Sequence, residues 1–319
     1  MNAPGASSFC TVHEPHSATT PSAHRPPGLD RRVRPLCRLA RNRWGRRPPH
    51  DVPSLLTDDW SGGAPLGLNT GLTLAELEAA VLLHNVRCLL SAAKTEGVLP
   101  EAPAQLTPDI RLELERPWRP PGFSEDVRAG HNNPYLRRSV EPLHWTQRLA
   151  ETAGLFDRAP NGFTISAEGV RLAPRARAGE LYVLLFRSCF RRFNLACLDH
   201  WPDVPELQDL VPLVLWTLTG REGQAWLEAS YWEYGNLPPA VRERIEKAGR
   251  GVRFRCLMEA RVLGPLADFG LLEPQPSSPE RLPFGETPFR RTPLLRRFIS
   301  FNVPEWEPEI DKRDLRLLR

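Results

Sequence analysis

The chain has almost no lysine: only Lys94, Lys247 and Lys312 stand among its 42 cationic residues, the rest being Arg. That bias reads as the coding preference of a GC-rich genome and not as selection for phosphate contacts. Reaction signatures are missing as well. There is no G-x-S-x-G elbow, no phosphate-cradling G-x-x-x-x-G-K-[ST], no G-x-G-x-x-G and no H-E-x-x-H. No local pattern points to an enzyme or to a cofactor. The six Cys form no C-x-x-C and sit in no dense small scaffold, so they read as free thiols in a reducing cytoplasm. No apolar run approaches a membrane span, and the N-terminus has no continuous apolar h-region of a signal peptide. The expectation is a cytoplasmic protein with no membrane partner.

Two sets of metal-type residues carry little. Cys10, His13, His16 and His24 are interrupted by Pro15 and have no framework around them. Cys197 and His200, with Asp199 between, would suit a thiol with its base or two metal ligands, but no further ligand pair stands at the right spacing. The alternating carboxylates Glu305, Glu307, Glu309 and Asp311 interleave with Trp306 and Pro308, which reads as an extended surface segment.

What is present in excess is proline, 34 residues in 319, which implies many short elements. Hydrophobic residues make up 41% and charged residues 25%, ordinary values for a chain with a real core. Charge is unevenly placed. Residues 1–50 hold nine Arg against Glu14 and Asp30, a net of +7; the whole chain is +4, so residues 51–319 are −3. The basic footprint of a nucleic-acid binder is absent from the body. Residues 1–52 read as a disordered basic tail, or as sequence upstream of the true start.

The densest stretch is Gly179 to Trp201, without Gly or Pro between Glu180 and Trp201. It predicts a buried central helix, apolar over most of its circumference. Residues 53–130 predict an N-terminal helical unit with linkers. There Thr73 with Glu76 forms a capping box before a helix running to about Lys94. Val98–Pro100 and Leu106–Thr107 suggest a short hairpin, and a helix follows from Pro108.

Residues 131–178 hold the best-defined motif. Asn133 caps a short helix, and a second runs from Leu143 to Ala153 and stops at Gly154. Leu155–Asp157 and Phe163–Ile165 flank a turn, and Ser166 caps another helix. Helix, turn, helix and a two-stranded wing is the order of a winged helix. On the second helix Leu143, Thr146, Leu149, Ala150 and Ala153 face inward, while His144, Gln147, Arg148 and Glu151 face outward, where a DNA-binding winged helix reads base edges.

Residues 179–303 repeat the order: a long helix from Val252 to Phe269, Gly270, Leu271–Glu273, a proline-rich loop, a return strand from Phe289 and a helix capped at Thr292–Pro293. Gly154 and Gly270 are 116 positions apart, and Gly97 precedes Gly154 by 57. Arg290, Arg291, Arg296 and Arg297 cluster around this last strand and helix, where a winged helix meets phosphates. Residues 304–319 form a C-terminal tail.

The segments GELYVLLFRSCFRRFNLACLDHWP, LVLWTLTGREG and FRCLMEARVLGPLADFGLLEP, ending in TPLLRRFISFNV, resemble an uncharacterised family of bacterial proteins over roughly residues 140–303. That resemblance carries no activity and no functional residue. The sequence therefore predicts a mostly α fold with small β-hairpins, as two or three winged-helix-like units around a central buried helix. Its expected role is regulatory DNA binding through His144, Gln147, Arg148, Arg290, Arg291, Arg296 and Arg297. The rival is a protein–protein interaction or scaffold module.

Overall fold

The computed structural model describes residues 60–61, 65–100, 142–199, 201–220, 226–232, 239–275 and 285–301. The expected Asn133-capped helix, the helix from Pro108, the Leu106–Thr107 strand and both tails lie outside the described residues. The described part is mostly helical with two-stranded antiparallel sheets.

Strand β1 (Leu66–Leu68) pairs with the last strand, β6 (Ile299–Phe301), so the two ends of the described chain meet. The Thr73–Glu76 capping box forms as expected: the Thr73 N–H and hydroxyl each donate to the Glu76 carboxylate at 2.9 Å. The helix it was expected to open is shorter. A turn occupies 74–79, and helix α1 spans Val81–Glu96.

Helix α2 (Pro142–Thr152) leads into β2 (Phe156–Ala159) and β3 (Gly162–Ile165), followed by α3 (Ala167–Leu172). Leu99 bridges Phe163: each N–H donates to the other carbonyl at 2.8 Å.

The central helix α4 (Ala178–Arg187) runs on through a π-helical segment, Ser188–Arg192, and ends there, short of the expected Trp201. Phe193 is extended, and the Asn194 side chain accepts from the Ala196 N–H to start a separate 3-10 turn at Leu195–Leu198. Asn competes with a continuing helix by such local bonds. Of α4, Leu181, Tyr182, Val183, Leu185 and Phe186 are buried, as is Phe190 beyond it. Tyr182 meets Phe298 edge-on at 4.6 Å, and Phe186 meets Phe190, Phe298 and Phe269 at 4.9, 5.0 and 5.2 Å. The Tyr182 hydroxyl donates to the Phe269 carbonyl at 2.6 Å, so its polar atom is satisfied inside the aromatic cluster. Gly179 lets the chain pass close: a Cβ there would collide with the Thr70 carbonyl.

Helices α5 (Pro205–Asp209) and α6 (Val211–Gly220) follow, with Pro212 in the first turn of α6, where its missing N–H costs nothing. Leu227 bridges Phe289 through two 2.8 Å bonds, and of the described residues 226–232, Ser230–Trp232 are helical. Helix α7 is Pro239–Ala248.

The expected long helix from Val252 is α8 (Phe254–Met258), a π segment (Glu259–Leu263) and α9 (Gly264–Asp268) in succession. Pro265 has no N–H to donate backward, and a widened turn accommodates the freed carbonyl. Then β4 (Leu272–Pro274) pairs with β5 (Phe289–Arg291), and α10 (Pro293–Phe298) precedes β6.

The repeat expected from the order of elements extends to individual bonds. Gly154 and Gly270 both take positive φ, 73° and 71°. Their N–H groups donate to the Glu151 and Ala267 carbonyls, each at 2.8 Å. The next residues, Leu155 and Leu271, donate to Ala150 and Leu266, each at 3.0 Å, which completes two Schellman helix ends. Ser166 and Thr292 then donate their N–H groups back to Leu155 and Leu271 at 3.0 Å, and their hydroxyls to Gly154 and Gly270 at 2.6 Å.

Among the described residues Cys88, Cys189 and Cys256 are reduced thiols. Cys197 departs from the expectation of free thiols throughout, standing in a disulfide.

Candidate functional site

Two places carry the expected reading residues, α2 and the β4–β5 hairpin. On α2 the amphipathic pattern predicts one solvent-facing side, and the packing removes most of it. Trp145, Thr146, Leu149 and Ala150 are at most 2% exposed, and Gln147, expected outward, is only 8% exposed. The correction has a simple cause: α2 is gripped from two directions, by α1 and by the π segment after α4. Its Trp145 ring meets Phe193 edge-on at 5.0 Å. Arg148 donates to Glu151 one turn on at 3.2 Å, and their side chains are 22% and 13% exposed. Only the backbone of His144 is described.

The arginines of the second hairpin come together with carboxylates. Arg290 on β5 donates twice to Glu273 on β4, at 2.9 and 3.0 Å, in the bidentate geometry that suits a guanidinium. That bond holds its pKa above the usual arginine value. Its guanidinium also lies 4.7 Å over the Trp226 ring, 36% exposed, which the Leu227–Phe289 bridge sets beside it. Arg291 donates to the Leu218 carbonyl at 3.2 Å. Arg297 pairs with Glu76 at 3.1 Å, and Arg296, exposed in the same last turn of α10, is engaged as well. Glu76 thus serves both the Thr73 turn and Arg297. Hydrogen bonds from the Thr73 backbone and hydroxyl, more than the Arg297 charge, hold its carboxyl below the usual range.

The four arginines gather on one strand, β5, and the helix that follows it, α10, as the sequence implies. They do not join Arg148, which belongs to the other hairpin unit.

Sequence reasoning missed a third cluster, in the π segment. Glu259 is 6% exposed and Arg261 1%. The Glu259 carboxylate accepts from the Gly285 N–H at 2.8 Å, the Thr287 N–H at 3.3 Å and the Thr287 hydroxyl at 2.7 Å. Burial raises its pKa against those bonds, and Glu286 adds to the rise. Arg261 grips Asp199 with bonds of 2.8 and 2.6 Å and the Trp201 carbonyl at 3.0 Å. A π turn places Glu259 and Arg261 toward two different loops, one on each side. The only sequence signal for this was a charged pair, E-A-R, inside an otherwise apolar run two turns before Pro265.

No protein-family model matches the chain, and no similar curated protein or solved structure was found. The function therefore rests on the geometry alone. Among the described residues no three His, Cys, Asp or Glu side chains gather as a metal site would need, and no helix is long and apolar enough to cross a membrane.

Proposed function

We propose that the chain is a non-enzymatic scaffold of two winged-helix-like units that engages a protein partner. The two-unit reading is supported by the recurring order: α1, Leu99, α2, β2, β3 and then α6, Leu227, α8 to α9, β4, β5. In each, a single bridging residue pairs with the return strand, as the first strand of a winged helix pairs with its wing.

The observation that favours a protein partner over DNA is the burial of the helix preceding each wing. In a DNA reader that helix presents a polar face to the major groove. Here α2 buries Gln147 and ties Arg148 to Glu151, and the second helix buries Glu259 and Arg261. Both are used to hold the body together. Beside the second wing, the exposed Trp226 and the partly exposed Arg290 above it are of types enriched at the hot spots of protein interfaces.

Fluorescence anisotropy of the full chain on duplex DNA tests this, comparing R148A and R290A/R291A with wild type at one salt concentration. Phosphate binding by the nine arginines of residues 1–50 is common to all three and cancels. Affinities within about twofold of wild type support the scaffold reading. A tenfold loss in either variant means that DNA is the ligand. A photo-crosslinking residue at position 226 provides the positive arm: it should yield discrete protein adducts in cells.

A further inference from the structure

Helix α1 carries a cluster that the scaffold reading does not use. Residues four apart on a helix share a face, and His84 and Cys88 do so: the His84 Nε2 lies 3.5 Å from the Cys88 sulfur. Both are only half-buried, so reagents of small size reach them. Arg87 stands beside them on the same helix. One of its guanidinium nitrogens, Nη1, is buried without an acceptor. Such a group leaves a charge in want of an anion. Burial first, and then the charge of Arg175, push the Arg87 pKa down, while a Cys88 thiolate opposes that fall. A thiol flanked by an imidazole and guanidinium charge is the setting in which sulfur ionises below its ordinary range.

Among the described residues, the elements packed most closely on α1 supply carboxylates that are already engaged. Helix α2 brings Arg148 and Glu151, paired with each other. Strand β3 has no ionisable side chain. Helix α4 brings Arg187 and Glu180, and Glu180 is held by Arg171 and Arg177 at 2.8 and 3.3 Å. On α1 itself, Lys94 and Glu96 lie in the last turn, beyond the cluster.

We propose that Cys88 is a reactive thiol, held as a thiolate by His84 and Arg87, and a site of reversible oxidation by hydroperoxides. The thiolate attacks the terminal oxygen of the hydroperoxide. An S–O bond forms and the O–O bond breaks. The sulfur loses two electrons, which the peroxide takes up, and the departing alkoxide or hydroxide takes its proton from the His84 imidazolium. The products are a sulfenic acid at Cys88, a neutral imidazole, and an alcohol or water. Cys189, in the core at 0% exposure, is the internal control.

The test measures alkylation of Cys88 by iodoacetamide in the full chain, resolved by peptide mass spectrometry, from pH 5 to pH 9. The expected rate profile has its midpoint at least one pH unit below the ordinary thiol value of about 8.5. In H84N the midpoint should return toward that value. After hydrogen peroxide, dimedone should label Cys88 and leave Cys189 unlabelled. A Cys88 midpoint at or above the ordinary value, a midpoint unmoved by H84N, or no dimedone adduct overturns the proposal. If H84N fails to fold, the profile of wild-type protein against its urea-unfolded state decides alone: a native midpoint no lower than the unfolded one overturns it.

Discussion

Arg261 and Asp199 meet across 62 positions of sequence through two hydrogen bonds of 2.8 and 2.6 Å, with the arginine side chain 1% and the aspartate 12% exposed. The pair joins the helix before the second wing to the segment that follows the central helix. Breaking one partner leaves the other's charge buried, which typically costs about 3–5 kcal/mol. R261A should therefore lower stability by that order in urea unfolding. The double change R261L/D199L should lose less than R261A, because no orphaned charge remains. A double variant as unstable as the sum of its singles would mean that the two residues act independently.

Ser166 and Thr292 make the same hydroxyl bond to the carbonyl of a positive-φ glycine, each at 2.6 Å. Ser166 additionally caps α3 by accepting from the Gly169 N–H at 3.0 Å, whereas Thr292 makes no side-chain cap to α10. S166A should cost about 1–2 kcal/mol and T292A about 1 kcal/mol. The larger loss should fall on Ser166. Equal losses in chemical denaturation would show that the cap contributes nothing measurable.

Gly154 and Gly270 share a backbone conformation but not surroundings. A Cβ on Gly154 would meet nothing within 4 Å, while one on Gly270 would lie 2.7 Å from the Ala79 backbone. G154A should cost the left-handed strain alone, roughly 1–2 kcal/mol. G270A should cost more, because the 74–79 turn must also move. Thermal unfolding of the two variants ranks them directly, and G154A as the worse of the two would contradict the packing.

Glu259 supplies a pH dependence whose sign follows from its raised pKa. A carboxyl raised above its unfolded value favours folding in its protonated form. Its contribution is fully present below the unfolded value and is lost as pH rises through the folded one. The stability difference between wild type and E259Q should therefore shift in favour of wild type as pH falls from 7 toward 4. The unfolding midpoints of the two proteins across that range check this. A difference that moves the other way would mean that the bonds from Gly285 and Thr287 outweigh burial.

The sequence alone determined the elements and their repetition. Local signals were sufficient there: the Thr73–Glu76 box, the glycines at 154 and 270, the hydroxyls at 166 and 292, and the apolar period of the central helix all act within a few residues. The continuous apolar pattern around Asn194 argued for a longer helix, and its local cap emerged only in the structure. What only the tertiary structure decided is which faces remain available. Whether Gln147 points to solvent depends on what α1 and the π segment place against it, and no residue of α2 encodes that. Leu99 and Leu227 find their partners 64 and 62 positions away at Phe163 and Phe289, where a single bridging residue leaves no periodicity to read. Glu259 and Arg261 lie buried in the π segment, whose widened turn the helical spacing of the sequence does not encode. The pairing of Arg290 with Glu273 and of Arg297 with Glu76 converted a basic cluster in the sequence into neutral contacts in space.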